Sequence, residues 1–329
     1  MNVVEEINKK PKEREYLFDN YKAFLIVLVV IGHFIEPSYK QNTILYDLKW
    51  AIVAFHMPAF IFISGYFSKK TPSIVKLIRG LAIPYLVCEV IYYLLYTYIL
   101  HIDTELYLSR PKFSLWYLMA LFVWKLLTPI VKKVPGYMVL TIVGGLLIGM
   151  VGLDNYFSIP RIVFFFPFFL AGECFDKAWL DKLRDTKGFI IASVGLVGFA
   201  VFLLTDKIHD KLTPHVFYGR YSYDKMGFDT KEGMIIRIVC YAISFLLVYL
   251  FMMVVPNEKK SYSYLGQRTM PVYIFHGLVY SFLKFRTDIL SSVESNLECF
   301  ALIISCIVLV WVLAQKPFVK FTNRISNLI

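Results

Sequence analysis

Two ionisable side chains stand in the first apolar segment, FDNYKAFLIVLVVIGHF: Lys22 at its entrance and His33 eleven residues on. Eleven residues make almost three helical turns, so the two side chains share one helix face about 16 Å apart. Ionisable groups within a membrane span are costly and are functional suspects by default. A neutral imidazole can take a proton from a hydroxyl and return it to a leaving group, which makes His33 the candidate general base. Glu36, three residues later, is expected on the same face, where it would orient the ring or stabilise its charged form. The competing reading of His33 is a histidine hydrogen-bonded between helices, and the histidine alone favours neither.

Further polar residues interrupt the apolar chain. The stretch SKKTPSIVKLIRGLAIPY places Lys76 and Arg79 three apart on one helix face, with Lys69 and Lys70 close by. Such a cluster could hold phosphates of a nucleotide-bearing donor, or simply mark the positively charged side of the membrane. Lys22 alone would read as a snorkelling anchor. His56 and Ser64 are the polar members of FHMPAFIFISGYF, with Pro58 expected to make the helix irregular near His56. Ser64 beside Gly65 reads first as a small-residue packing contact. His276 is another imidazole in an apolar run, and Trp116 and Tyr117 read mainly as interfacial anchors.

The elements that must position these residues follow from composition. The chain has 329 residues, 58% of them hydrophobic and 18% charged, against about 25% charge in a soluble domain. Apolar runs recur at 23–35, 44–67, 74–100, 113–130, 137–153, 159–171, 189–204, 234–255, 270–283 and 297–314. Most approach the roughly 20 residues that span a bilayer. Lipid demands internal satisfaction of the backbone, so such runs are helices, and the alternation of a membrane β-barrel is absent. The expected fold is all-α: a polytopic transmembrane bundle of about ten helices. A tail over 1–21, a transmembrane domain over 22–315 and a second tail over 316–329 complete it.

Orientation follows from the basic residues. With both termini inside, most of the 35 lysines and arginines fall in cytoplasmic segments. The net charge of +11 then reflects topology and contact with anionic membrane lipid; the scattered basic residues do not make a nucleic-acid surface. A multi-pass protein of a cell membrane is expected, bacterial and cytoplasmic. The charged first 22 residues and the lack of a small-residue cleavage site make the first helix an uncleaved anchor. Five cysteines without metal-ligand spacing read as buried small hydrophobes, and no metal is expected. The exceptional loop is 205–233, placed outside, with Asp206, His209, Asp210, His215, Tyr218, Tyr221 and Tyr223 among its residues. Rings mixed with carboxylates and hydroxyls suit a sugar; a solvated loop is the plainer reading. The residues leave open an O-acyltransferase, a proton-coupled transporter or flippase of a lipid-linked sugar, and a membrane scaffold.

Four motifs in order resemble the acyltransferase-3 family of integral-membrane acyltransferases, in particular the branch similar to fucose 4-O-acetylase. DNYK (19–22) followed by VVIGH resembles its D-x-x-R opening and R/K-x10-H pattern. FHMPAFIFISGYF resembles its F-x-M-P-x-F-x-F-x-S-G stretch, and KLIRGLAIPY its R-x-x-R loop. SLWYLMAL and YIFHG resemble its later W-[FY]-L and Y-x-x-H signatures. Lys22 and Lys76 stand where arginine is commoner, keeping the charge without the bidentate fork. The resemblance implies transfer of an acetyl or other short acyl group from cytoplasmic acetyl-CoA, or another acyl-CoA, to a carbohydrate hydroxyl of the envelope. It places Asp19 beside His33 and Glu36 as catalytic. It gives the coenzyme to Lys22, Lys76, Arg79, Lys69 and Lys70. His56, Ser64, Trp116 and His276 become candidates for substrate contact or the oxyanion. The oligomeric state stays open, a homodimer included.

Overall fold

The computed structural model describes residues 15–70, 72–153, 155–205 and 212–326; Asp206, His209 and Asp210 lie outside them. About 75% of the chain is helix, and no strand occurs among the described residues. The order is α1 (Tyr16–Phe34), α2 (Thr43–Tyr66), α3 (Ile74–Leu77), α4 (Ile83–Leu94), α5 (Trp116–Val131), α6 (Tyr137–Leu147), α7 (Ile159–Cys174) and α8 (Lys177–Leu183). There follow α9 (Thr186–Leu203), α10 (Thr230–Val254), α11 (Ser263–Gln267), α12 (Thr269–Arg286), α13 (Asn296–Leu313) and α14 (Lys316–Ser326). Wider π-type turns at Ile78–Ala82 and Leu95–Ile99 flank α4.

Each apolar run of the sequence coincides with helical chain. Among the described residues six helices are long and apolar enough to cross a membrane: α1, α2, Tyr156–Cys174, α9, α10 and α13. The remaining runs are shorter, segmented or more polar. Burial sorts the six into inner and outer. The most apolar windows of α1 and α2 are 72% and 61% buried, whereas that of α9 is 17% buried. The two helices that carry Lys22, His33, His56 and Ser64 therefore form the interior, and α9 presents its side chains outward.

Helix α1 begins at Tyr16, one turn before the Asp19–Asn20 pair. Its N-cap is Glu15, which makes no side-chain cap bond. Asn20 is instead buried, and its amide donates to the carbonyls of Pro256 and Glu258, both at 2.8 Å. Its own oxygen accepts from the Ser263 hydroxyl at 2.6 Å. These bonds clamp α1 to the α10–α11 connection, where Gly266 lies so close that a Cβ would fall 1.7 Å from the Asp19 carbonyl oxygen. Asn20→Ala strands buried carbonyls and should cost about 2 kcal/mol, read as a lowered unfolding temperature in detergent.

Helix α2 is capped by Asn42, which accepts from Ile44 and Leu45 N–H. Pro58 does not break it. A proline removes the bond to the carbonyl four residues back, here Ala54, and the Ser244 hydroxyl of α10 donates to that oxygen. At the other end of α2, Gly65 and Gly172 let α2 and α7 cross in backbone contact. The N-terminal end of α1 shares a face of the bundle with the C-terminal ends of α2, α5, α7 and α10. Contacts there include Lys69 with the Phe175 carbonyl and Lys132 with Glu173. The long loop, from 212 onward, folds against the opposite face. It makes 3-10 turns at Pro214–Phe217 and Asp224–Met226, and Asp229 caps α10.

Candidate active site

Residues Lys22, Ile26, Val29 and His33 form one stripe of α1, and all four line a single cavity of about 350 Å³. The spacing of four, three and four residues is that of one helix face. Lys125 of α5 joins Lys22 at the end nearer the N-terminus of α1, beside the wide turn that contributes Gly80 and Leu81. Between these cations and His33 the wall is mainly apolar, with Met57, Phe60, Leu121 and Met270 among its members. Ser64 also lines it. Its hydroxyl bonds the Phe60 carbonyl at 2.9 Å and the Tyr117 phenol. With the serine proton directed to that carbonyl, Tyr117 is the donor to Ser64, which leaves a packed hydroxyl rather than a primed nucleophile.

A second, smaller cavity of about 80 Å³ lies on the other side of His33. Val29, His33, Met57 and Trp116 line both. The imidazole thus stands at the junction of two compartments. The smaller one holds Lys49 and His56 of α2, Arg161 of α7, and Phe217 and Tyr218 of the long loop. His56 Nδ1 is 2.7 Å from the Ile52 carbonyl. A carbonyl only accepts, so Nδ1 carries the proton and Nε2 is the free acceptor of the neutral ring.

Aromatic rings fix the place of His33. Phe113 packs at 4.6 Å between ring centroids, and the His276 ring lies at 5.4 Å, tilted by 36°. Phe113 adopts φ 50°, a left-handed conformation costly for a phenylalanine, to reach this position. Gly277 makes room for it: a Cβ there would fall 1.9 Å from the Tyr92 hydroxyl and 2.3 Å from the Phe113 ring. His276 is fully buried behind His33 and lines neither cavity. Its Nδ1 donates to the Val272 carbonyl at 2.9 Å, and its Nε2 has no hydrogen-bond partner.

A third cavity, of about 280 Å³, adjoins the first at Lys125 and is lined also by Lys69, Lys132 and Glu173. Among the described residues no group of three or more His, Cys, Asp or Glu side chains could hold a metal ion.

A family model described as an acyltransferase domain, Acyl_transf_3, matches residues 15–315. The chain belongs to the acyltransferase-3 family. The match takes in every helix that lines the junction, α1, α2, α5 and α7 among them. The nodulation protein NolL of Sinorhizobium fredii (strain NBRC 101917 / NGR234) is 42% identical over 64 residues, which is 18% of this chain and 17% of NolL. The chain therefore spans a small part of that relative's length. No solved structure matches this acyltransferase-3 chain.

The acyltransferase-3 motifs gather around the two cavities, with five corrections to what the sequence suggests. Glu36 does not orient His33. Helix α1 ends at Phe34, so the spacing of three no longer holds a common face. Its carboxylate forms an ion pair with Lys49 and accepts from the Tyr218 hydroxyl at 3.0 Å. Burial, with the Glu36 charge adding to it, pushes the Tyr218 phenol up, so it stays a donor. Asp19 is fourteen residues from His33 on one helix, about 21 Å. It is ion-paired with Lys22 at 3.2 Å and bonded to Gln267, a partner for the lysine rather than for the base. Lys76 and Arg79 are exposed and line none of the three cavities, although their neighbour Gly80 lines the first; Lys70 is exposed as well. Trp116 is not an interfacial anchor: it is buried at the start of α5, under the Arg161 guanidinium at 4.9 Å. Of the five cysteines, Cys174 is exposed rather than buried.

Lys49, Lys125 and Arg161 line the cavities but belong to none of the motifs. Their signal is present: each is a cation within or beside an apolar run. Lys49 is also seven residues before His56 and so shares its helix face.

Proposed function

We propose that this acyltransferase-3 protein is a membrane O-acyltransferase. It moves an acetyl or similarly short acyl group from acyl-CoA on the cytoplasmic side to a hydroxyl of a carbohydrate presented at the opposite face. About ten membrane-crossing segments with both termini inside are part of this reading, the orientation supported by the distribution of basic residues. The observation that carries it is the placement of Lys22 and His33 on one cavity, with His33 the one histidine among the described residues that lines both this cavity and the compartment beyond.

In this reading the cationic end of the larger cavity receives the donor's phosphates, and the apolar wall accommodates the pantetheine arm. The span from Lys22 to His33 is about 16 Å along the helix, which suits an extended arm with the thioester at the junction. His33 takes the proton of the acceptor hydroxyl. The oxygen attacks the thioester carbonyl, the C–S bond breaks, and the proton passes to the departing thiolate. Lys49 and Arg161 beside the junction favour negative charge as it develops on oxygen. Lys49 also donates to the Gly32 carbonyl at 2.6 Å, which ties α2 to the turn that carries His33.

Lys125 lines both near-side cavities, so it is the better phosphate ligand than the exposed Lys76 and Arg79. Lys125→Ala should weaken CoA binding about tenfold, the order expected for one charge-assisted contact. Lys76→Ala/Arg79→Ala should weaken it less. Calorimetry on purified protein checks this ranking, and the reverse order would move the donor site to the surface turn.

A further inference from the structure

Two cations, Lys49 and Arg161, line the far compartment, and a third, Arg220, stands two residues beyond Tyr218, which lines it too. Lys49 is paired with Glu36. Arg161 and Arg220 are not paired: among the described residues neither has a carboxylate within ion-pair distance. Arg161 reaches only the Asn155 side-chain oxygen, at 3.5 Å, the limit of a hydrogen bond, and stacks on Trp116. Arg220 lies over the Tyr221 ring at 5.4 Å, and its Nε is buried without a partner. Arg220 follows directly on Gly219, which packs against Phe164, three residues from Arg161 on the same helix.

The fold presses the segment that carries Arg220 against α7. Gly219, just before Arg220, has φ 62°, and a Cβ there would fall 2.4 Å from the Phe164 ring of α7. Only glycine lets the loop press this closely against the helix that carries Arg161. Two neighbouring cations, one with a buried unsatisfied N–H, are unfavourable unless an anion completes them. His215 does not add a further charge to the group: burial pushes its imidazole down, so it is neutral at pH 7.

We propose that Arg161 and Arg220 form a subsite for an anionic group, phosphate or carboxylate, carried by the acceptor close to the hydroxyl that is acylated. The inference rests on the acyltransferase reading of the junction. Guanidinium forks match planar or tetrahedral oxyanions bidentately. A compartment of about 80 Å³ admits the reacting edge of a sugar and leaves its charged substituent at the arginines. The anion can come from a water-soluble acidic glycan or from the phosphate of a lipid-linked sugar. The second source has a neighbouring feature: Phe217 also lines an apolar groove of about 290 Å³ between α9 and α10.

The test is equilibrium binding to the full chain in nanodiscs, using glucose, glucuronate, glucose 1-phosphate and dodecyl phosphate. The charged probes should bind at least tenfold more tightly than glucose. That preference should fall at least tenfold in Arg161→Gln and in Arg220→Gln, and Arg220→Lys should retain part of it. Tighter binding of dodecyl phosphate than of the sugar acids assigns the anion to a lipid-linked acceptor; the opposite order assigns it to a soluble one. Equal affinity for charged and neutral probes, absence of binding included, overturns the subsite, as does a preference that survives Arg161→Gln/Arg220→Gln. Retained CoA binding in each variant reports an intact fold. Loss of CoA binding by the unmodified protein would instead strike at the acyltransferase reading itself.

Discussion

Replacing His33 with alanine should lower acyl transfer by about 10³-fold, within the range for loss of a general base, while CoA still binds. The imidazole is the ionisable ring that both compartments share, and it has aromatic support on its flank from Phe113. Removing it leaves the phosphate end of the donor cavity, some three turns away, unchanged. His33→Gln should be nearly as inactive, because an amide fills much of the same space without accepting a proton at neutral pH. The readouts are labelled acetyl recovered on surface glycans and, separately, calorimetric CoA affinity. Full transfer by the alanine variant would return His33 to the role of a structural histidine between helices.

The largest effect on folding is expected at Gly172. A Cβ at this position would fall 1.8 Å from the Phe62 carbonyl oxygen, and one at Gly65 would fall 1.9 Å from the Phe169 carbonyl oxygen. Both obstacles are backbone, so no rotamer change relieves them. Gly172→Ala must push α2 and α7 apart and should cost about 3 kcal/mol or more, at or above the upper end for overpacking. Gly172→Leu should fail to yield monodisperse protein. Gly198 is the control: nothing lies within 4 Å of an added Cβ. Gly198→Ala should be neutral or stabilising by about 0.5–1 kcal/mol. Thermal unfolding followed by fluorescence size-exclusion chromatography distinguishes these outcomes. The crossing holds the helix of Lys49, His56 and Ser64 against that of Arg161, so a partly folded Gly172→Ala protein should also lose activity.

The helical architecture was legible in the sequence because long apolar runs admit little else. The face shared by Lys22 and His33 was legible too, since helical spacing alone sets it, and one cavity now runs along that face. Ser64 beside Gly65 reads as a packing contact, and the structure uses Gly65 in that way. What could not be read is what depends on where helices end and which helices meet. Glu36 looks like a neighbour of His33 until α1 stops at Phe34. Lys76 and Arg79 look like ligands because charge pattern carries no information on which way a surface turn faces. The segment that carries Arg220 meets the helix of Arg161, 59 positions away, only through the close approach at Gly219. Pro58 looks disruptive until the Ser244 hydroxyl of a distant helix is seen to take the freed carbonyl.

The meeting of donor and base at the junction is tested most directly by an experimental structure of the protein with a non-hydrolysable acetyl-CoA analogue. The acyl carbonyl carbon is expected within about 4 Å of the His33 ring, leaving one hydroxyl's width for the acceptor. The phosphates are expected at Lys22 and Lys125. An analogue bound with its acyl group outside the cavity, or a helix turn or more away from His33, would contradict the assignment of this histidine as the base.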